Sequence, residues 1–276
     1  MRLPDFIHIG TGKSATTWLF SVLSKHSDIY LTPVKETNFF DLNYHRGIAW
    51  YGRFFDEAKN EAVVGEISHR YIHHRAAADR IKSDVGNVKI IVGLREPRDY
   101  CISDYLFTKR NGRFSGTLDE WCETGFDWET IAYQTMLEPF LSTFGKDHLC
   151  VYRFDDLSAN PQNVLNRITD HLAVSRHILS DAEHSPVNTA ARPRNVAIAN
   201  LVNRSSKFVK RRGGQRLVAA IKYNPVVQRL LYRSVIQRPQ ISAKWSQEII
   251  DYTRPHAKWV DDKLDVELVT SWKLGQ

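Results

Sequence analysis

Five short apolar runs constrain this chain more than any other feature. They are Phe6, Ile7 and Ile9; Ile29 to Leu31; Ala62 to Gly65; the stretch NVKIIVGL ending at Leu94; and HLCVYRF at 148 to 154. Each has the length of a strand and reads as buried on both faces. Strands of that kind, alternating with helices, are accommodated by a parallel sheet covered on both sides. The intervening helices are legible too. Trp18, Leu19, Val22 and Leu23 recur at helical spacing after about Ala15. A second helix runs from Arg98 to about Arg110 and stops at Asn111-Gly112. A third opens with Asn160 as N-cap and Pro161 at its first position, and buries Val164, Leu165, Ile168 and Leu172. The expected class is α/β, a three-layer parallel sheet with helices on both faces.

The 276 residues, 42% hydrophobic, can bury the core of one large domain. The expected organisation is a single domain over 1–276. Its α/β core reaches about residue 190, and a basic helical region over 191–276 follows, with no strand. Trp245, Ile249, Ile250, Trp259, Val260 and Leu264 mark helical packing near the end. No run of about 18 apolar residues occurs, and the first strand begins at residue 6, so the reading is a soluble, cytoplasmic protein without a signal peptide. Cys101, Cys122 and Cys150 have no metal-ligand spacing and read as buried thiols; no metal is expected. The net charge of +7 is local: residues 192–238 hold twelve Lys and Arg and no Asp or Glu, leaving 26 basic against 31 acidic residues elsewhere. Such a block suits an anionic acceptor or a membrane surface.

The stretch FIHIGTGKSATTWLF, residues 6–20, joins the first strand to the first helix through a turn of small residues containing Lys13. Helix N–H groups pointing into a turn with a lysine make an anion site. A nucleoside-triphosphate loop has the form G-x-x-x-x-G-K-[ST], and the position of its first glycine is Ile7 here, so the cradle is shorter. In open parallel sheets ligands bind beyond the carboxyl ends of the strands. That rule gathers Lys13, Arg95, Lys35 and Glu36 around one cleft.

Four segments, the Lys13 loop, KETNFFD at 35–41, GEISHRYI at 65–72 and LREPRDYCISDY at 94–105, together resemble the sulfotransferases that use 3′-phosphoadenosine 5′-phosphosulfate (PAPS), in their carbohydrate and bacterial branch. The resemblance implies a P-loop-like sulfotransferase fold and transfer of a sulfuryl group to an acceptor hydroxyl without a metal, releasing adenosine 3′,5′-bisphosphate (PAP). It implies that Gly12, Lys13, Ser14, Ala15, Thr16 and Thr17 hold the 5′-phosphosulfate, and that Arg95 and Ser103 read the 3′-phosphate. KETNFFD is similar to the heparan-type Lys-Glu-Pro-x-Phe-Phe motif, whose glutamate is the base; Glu36 takes that place, Lys35 lies beside it, and Thr37 replaces the proline. Other sulfotransferases use histidine, which makes His69 the rival base. GEISHRYI departs from Gly-Glu-Lys-Ser-Pro-x-Tyr at Ile67 and His69, and leaves Ser68 and Arg70 as cleft residues. The resemblance also gives Arg194, in VNTAARPRN, as a candidate contact to an anionic acceptor or to the 3′-phosphate. The acceptor implied is a glycan or glycolipid, with a small-molecule or lipid alcohol or phenol as the alternative; nucleic acid is not an expected partner. A kinase is disfavoured by Ile7, and a non-catalytic polyanion or membrane binder leaves Lys13, Glu36, Arg95 and Ser103 unexplained.

Overall fold

The computed structural model describes residues 1–181, 183–184, 191–193, 232–234 and 238–275. Its centre is a sheet of five parallel strands: β1 (Phe6–Gly10), β2 (Ile29–Leu31), β3 (Val63–Ile67), β4 (Lys89–Leu94) and β5 (Leu149–Arg153), in the order β2-β3-β1-β4-β5. Phe6 stands opposite Gly65 on one side and Lys89 on the other. All five residues of β1 are buried, as a strand flanked in its sheet and covered on both faces requires.

Alternation along the strands separates two apolar layers. Phe6, Ile67, Ile91 and Tyr152 pack with Trp18, Leu19, Val22 and Leu23 of helix α1 (Thr16–Leu23) and with Val164, Leu165, Ile168 and Leu172 of the helix Pro161–Leu172. The intervening Ile7, Ile9, Ile90 and Val92 are also buried. So are Ala77, Ala78 and Ile81 of Ala77–Asp84 and Met136, Leu137 and Phe140 of Tyr133–Phe144, two helices that pack together. Asn160 caps its helix as expected, its side chain accepting from Asn163 N at 3.1 Å.

The chain forms two compact units, one of Met1–Pro97, Asp127–Val187 and Gln247–Gln276, the other of Arg98–Phe126 and Asn188–Ser246. The first holds the sheet. The second holds most of the helix Pro97–Arg110, which ends where expected, and the helix Leu118–Thr124, started by a reciprocal Thr117–Glu120 capping box. The thiols of Cys101 and Cys122 lie there 3.5 Å apart, and Cys150 is buried on β5. The second unit also corrects one expectation. A strand, Tyr232–Ser234, pairs antiparallel with Ala191–Pro193 in the region expected to be helical only. Three residues leave no periodicity to read, and the pairing joins segments about forty residues apart, so no local pattern announces it. Among the described residues no helix is long and apolar enough to cross a membrane.

Gly65 has a packing reason to be glycine. A Cβ there would lie 2.3 Å from the Phe6 ring. Gly65→Ala is expected to lower the unfolding free energy in a urea titration by about 1–3 kcal/mol, the usual cost of overpacking a core. Adding Phe6→Leu, which shortens the obstructing side chain, should cost less than the sum of the two single changes.

Candidate active site

The turn between β1 and α1 is shaped by backbone rather than by large side chains. Lys13 and Ala15 both adopt the left-handed conformation, at φ 64 and 58°, and α1 begins without a side-chain cap. A helix start leaves its first N–H groups without intrahelical acceptors, and such groups beside a turn with left-handed residues are suited to an anion. Neighbouring strand ends hold this loop in place. Thr11 donates from both its backbone N (2.7 Å) and its hydroxyl (2.8 Å) to Gly93 O at the end of β4. Tyr152 on β5 donates to Ser14 O at 3.0 Å. Arg95, just past β4, donates to Lys13 O at 2.6 Å, and its guanidinium lies 4.2 Å from the centre of the Phe154 ring. Arg95 is buried and Lys13 half-buried. Below the loop, Tyr152 spends its proton on Ser14, so its oxygen accepts from His8 Nε2 at 3.1 Å. Burial first, and then the charge of Lys35, lower the His8 imidazole to about 3, which keeps it neutral.

The second element is the turn after β2. Its Glu36 N donates to Ile67 O at the end of β3 (2.9 Å), and Glu36 and Asn38 sit at φ 68 and 50°. This backbone brings Glu36 to a focus of charge. One carboxylate oxygen, Oε1, lies 3.0 Å from Lys35 Nζ and 3.0 Å from His69 Nδ1. Lys35, whose side chain is only 6% exposed, also donates to Thr17 Oγ1 at 3.3 Å and so ties this turn to the loop. Burial works against the Glu36 charge, but the His69 hydrogen bond and the Lys35 charge outweigh it and hold the carboxyl well below the usual carboxylate range. An ionised carboxylate only accepts, so His69 donates through Nδ1, and in the neutral ring this tautomer puts the lone pair on Nε2. The ring edge meets the loop: a Cβ on Gly12 would lie 3.1 Å from His69 Cδ2 and 3.6 Å from Nε2.

A third cluster was not foreseen from sequence. Glu66, on β3, is fully buried and accepts hydrogen bonds from four hydroxyls: Thr37 and Ser68 (3.2 Å) on Oε2, and Tyr51 (2.9 Å) and Tyr71 (2.8 Å) on Oε1. Burial raises its carboxyl above the usual carboxylate range, and the four hydroxyls offset this only in part. Thr37, at the proline position of the similar motif, therefore anchors its turn by hydrogen bonds instead of by a ring. Tyr71 lies within the GEISHRYI segment, but the link from Tyr51 to Glu66 crosses two elements and has no sequence signature.

The structure thus brings Lys13, Arg95 and Thr17 together at the loop, and Lys35, Glu36 and His69 together beside it. Ser68, expected in the cleft, is instead fully buried with its hydroxyl turned to Glu66. Arg70 is exposed and pairs through Nε with Asp41 at 2.8 Å. Ser103 lies on Pro97–Arg110 in the second unit. Arg194 falls outside the described residues, as does most of the basic block. Among the described residues no group of acidic, His or Cys side chains has the arrangement of a metal site.

Known proteins share this sequence pattern. The chain is 38% identical over 116 residues to the membrane-associated sulfotransferase kil1 of Dictyostelium discoideum, covering 40% of this chain and 25% of that one. It is 30% identical over 193 residues to heparan sulfate glucosamine 3-O-sulfotransferase 3B1 of Mus musculus, covering 64% and 48%. The chain therefore spans a quarter to about half the length of these curated relatives. A sulfotransferase from Alicyclobacillus acidocaldarius has the same fold, with a TM-score of 0.71 over 99% of this chain and all of that one, at 19% identity. The sulfotransferase domain family matches residues 3–202, most of the length of the chain, and the protein belongs to that family.

Proposed function

We propose that the protein transfers a sulfuryl group from PAPS to a hydroxyl of a carbohydrate or glycoconjugate, and that residues 1–276 act as one sulfotransferase domain. The observation that carries this reading is the meeting of an anion-binding loop with the Lys35–Glu36–His69 cluster through the Lys35–Thr17 hydrogen bond. The left-handed Lys13 and Ala15 and the uncapped start of α1 fit a single phosphate-like group. In this reading Gly12 to Thr17 cradle the 5′-phosphosulfate, and Lys13 stabilises charge as it develops on the leaving phosphate oxygen. Arg95, bonded to the loop carbonyl, reads the 3′-phosphate through its planar guanidinium. Lys35 neutralises charge near the transferring group.

The acceptor hydroxyl must lose its proton, and Glu36 and His69 act on it as a pair. Glu36 orients the imidazole through Nδ1, and His69 Nε2, on the ring edge beside Gly12, takes the proton. The imidazolium formed is then stabilised by the carboxylate it already touches, the logic of base and orienting acid in a hydrolase triad. A carboxylate held as low as Glu36 is by itself a weak proton acceptor. The block at 192–238 supports an acidic acceptor. Heparan sulfate, named for the mouse relative, is a polymer of that kind.

Transfer of label from PAPS to a panel of acidic glycans, neutral glycans, lipids and phenols tests the reaction; failure with every acceptor would overturn it. PAP should raise the melting temperature in the presence of a metal chelator, and a response to Mg-ATP alone would exclude the donor assignment. Lys13→Ala should weaken PAP binding by calorimetry about 10- to 100-fold, the loss of one charge-assisted hydrogen bond.

The pH profile separates the two bases. If Glu36 alone took the proton, kcat would persist as pH falls to below the usual carboxylate range, because its depressed carboxyl stays ionised there. Loss of kcat within or above that range would exclude Glu36 as the sole acceptor; with His69 as acceptor, His69→Asn removes turnover, and Glu36→Gln lowers kcat while leaving PAP binding in place. For an acidic glycan, KM should rise between about 0.01 and 0.15 M salt, where the screening length shortens from about 30 to about 8 Å. For a neutral sugar it should stay constant.

A further inference from the structure

We infer that Glu66 is a positioning residue for the reaction, a buried carboxylate whose hydroxyl partners set the register between Glu36 and His69. This rests on the sulfuryl-transfer reading. Thr37, which follows Glu36, and Ser68, which precedes His69, both donate to the same oxygen, Oε2. Tyr51 and Tyr71 donate to Oε1. The two turns that carry the pair are therefore tied to one atom. They are joined again by the Glu36 N–Ile67 O bond and by Asn38 N to Ser68 Oγ at 3.4 Å.

Proton counting shows why a carboxylate stands here. Each hydroxyl has one proton and gives it to Glu66, whose two oxygens offer four acceptor positions. The hydroxyl oxygens are then left to accept from the backbone of the Glu36 turn: Phe39 N donates to Tyr71 OH at 2.8 Å and to Thr37 Oγ1 at 3.3 Å. The bonds run in one direction, from turn N–H groups through hydroxyls into the carboxylate. Glu36 and Asn38 occupy the left-handed region, which non-glycine residues keep only where their surroundings hold them. Among the described residues Glu66 forms no salt bridge, and full burial makes its charge costly. An apolar residue would fill the space without that cost, but it would accept none of the four bonds and so leave the turn unanchored.

Glu66→Gln tests this with almost no change of shape, because an amide presents a donor where two of the hydroxyls need an acceptor. Thr37→Val removes one arm isosterically and carries the test if Glu66→Gln fails to fold. In both, kcat should fall about 10- to 100-fold, as expected for a displaced catalytic group, while the PAP dissociation constant stays within about twofold and unfolding remains cooperative. A second readout is independent of activity. The His69 Nδ1 proton, assigned in the NMR spectrum by its disappearance in His69→Asn, should be slow to exchange in the wild type and broadened or lost in both variants. Unchanged kcat together with an unchanged His69 signal would reduce Glu66 to a packing role and overturn the inference. If the wild type neither binds PAP nor transfers sulfate, the sulfuryl-transfer reading fails, and the imidazole signal still decides whether Glu66 holds the pair.

Discussion

The site depends on the position of β1 between β3 and β4. A strand buried on both faces cannot shift without unpacking two layers, so the loop that leaves its carboxyl end starts from a fixed point. The neighbouring strands complete the restraint. Gly93 from β4 takes Thr11, Tyr152 from β5 takes Ser14, and Arg95 takes Lys13. A loop with two residues in the left-handed region would otherwise relax to commoner geometry, at a gain of about 1–2 kcal/mol per residue. The strain is held by bonds from strands distant in sequence, so the anion cradle is a property of the sheet as much as of the loop.

Electrostatics divides the acidic side chains at this sheet end by environment. Glu36 meets an ammonium and an imidazole N–H and is held ionised against its burial. Glu66, one strand away, meets only hydroxyls among the described residues, and burial moves it in the opposite direction. The first therefore serves as a permanent anion that orients His69, and the second as an acceptor that orders backbone. Lys35 contributes at both edges of the cluster, to Glu36 and to Thr17 of the loop, and its charge reaches His8 beneath them.

Much of this was legible beforehand because it is local. Lys13 between Gly12 and Ser14, and Lys35 beside Glu36, are short patterns that follow strands of recognisable composition. The rule that ligands sit at strand carboxyl ends then placed them in one cleft. What could not be read were bonds whose partners come from different elements. Thr37, read as a departure from the similar motif, proves to be tied to Glu66. Ser68, read as a cleft residue, faces the same buried carboxylate. Choosing between Glu36 and His69 assumed separate groups, whereas the structure joins them at 3.0 Å.

The sequence alone determined the α/β class, the extent of the early strands and helices, and the loop lysine, because apolar periodicity and small-residue turns act over a few neighbours. Tertiary structure alone decided which protons are shared. It set the Glu36–His69 pair, the Arg95–Lys13 tie, the four hydroxyls on Glu66 and the strand at Tyr232–Ser234. Hydrogen bonds between residues tens of positions apart exist only after the sheet has brought them within about 3 Å, and no spacing along the chain encodes that distance.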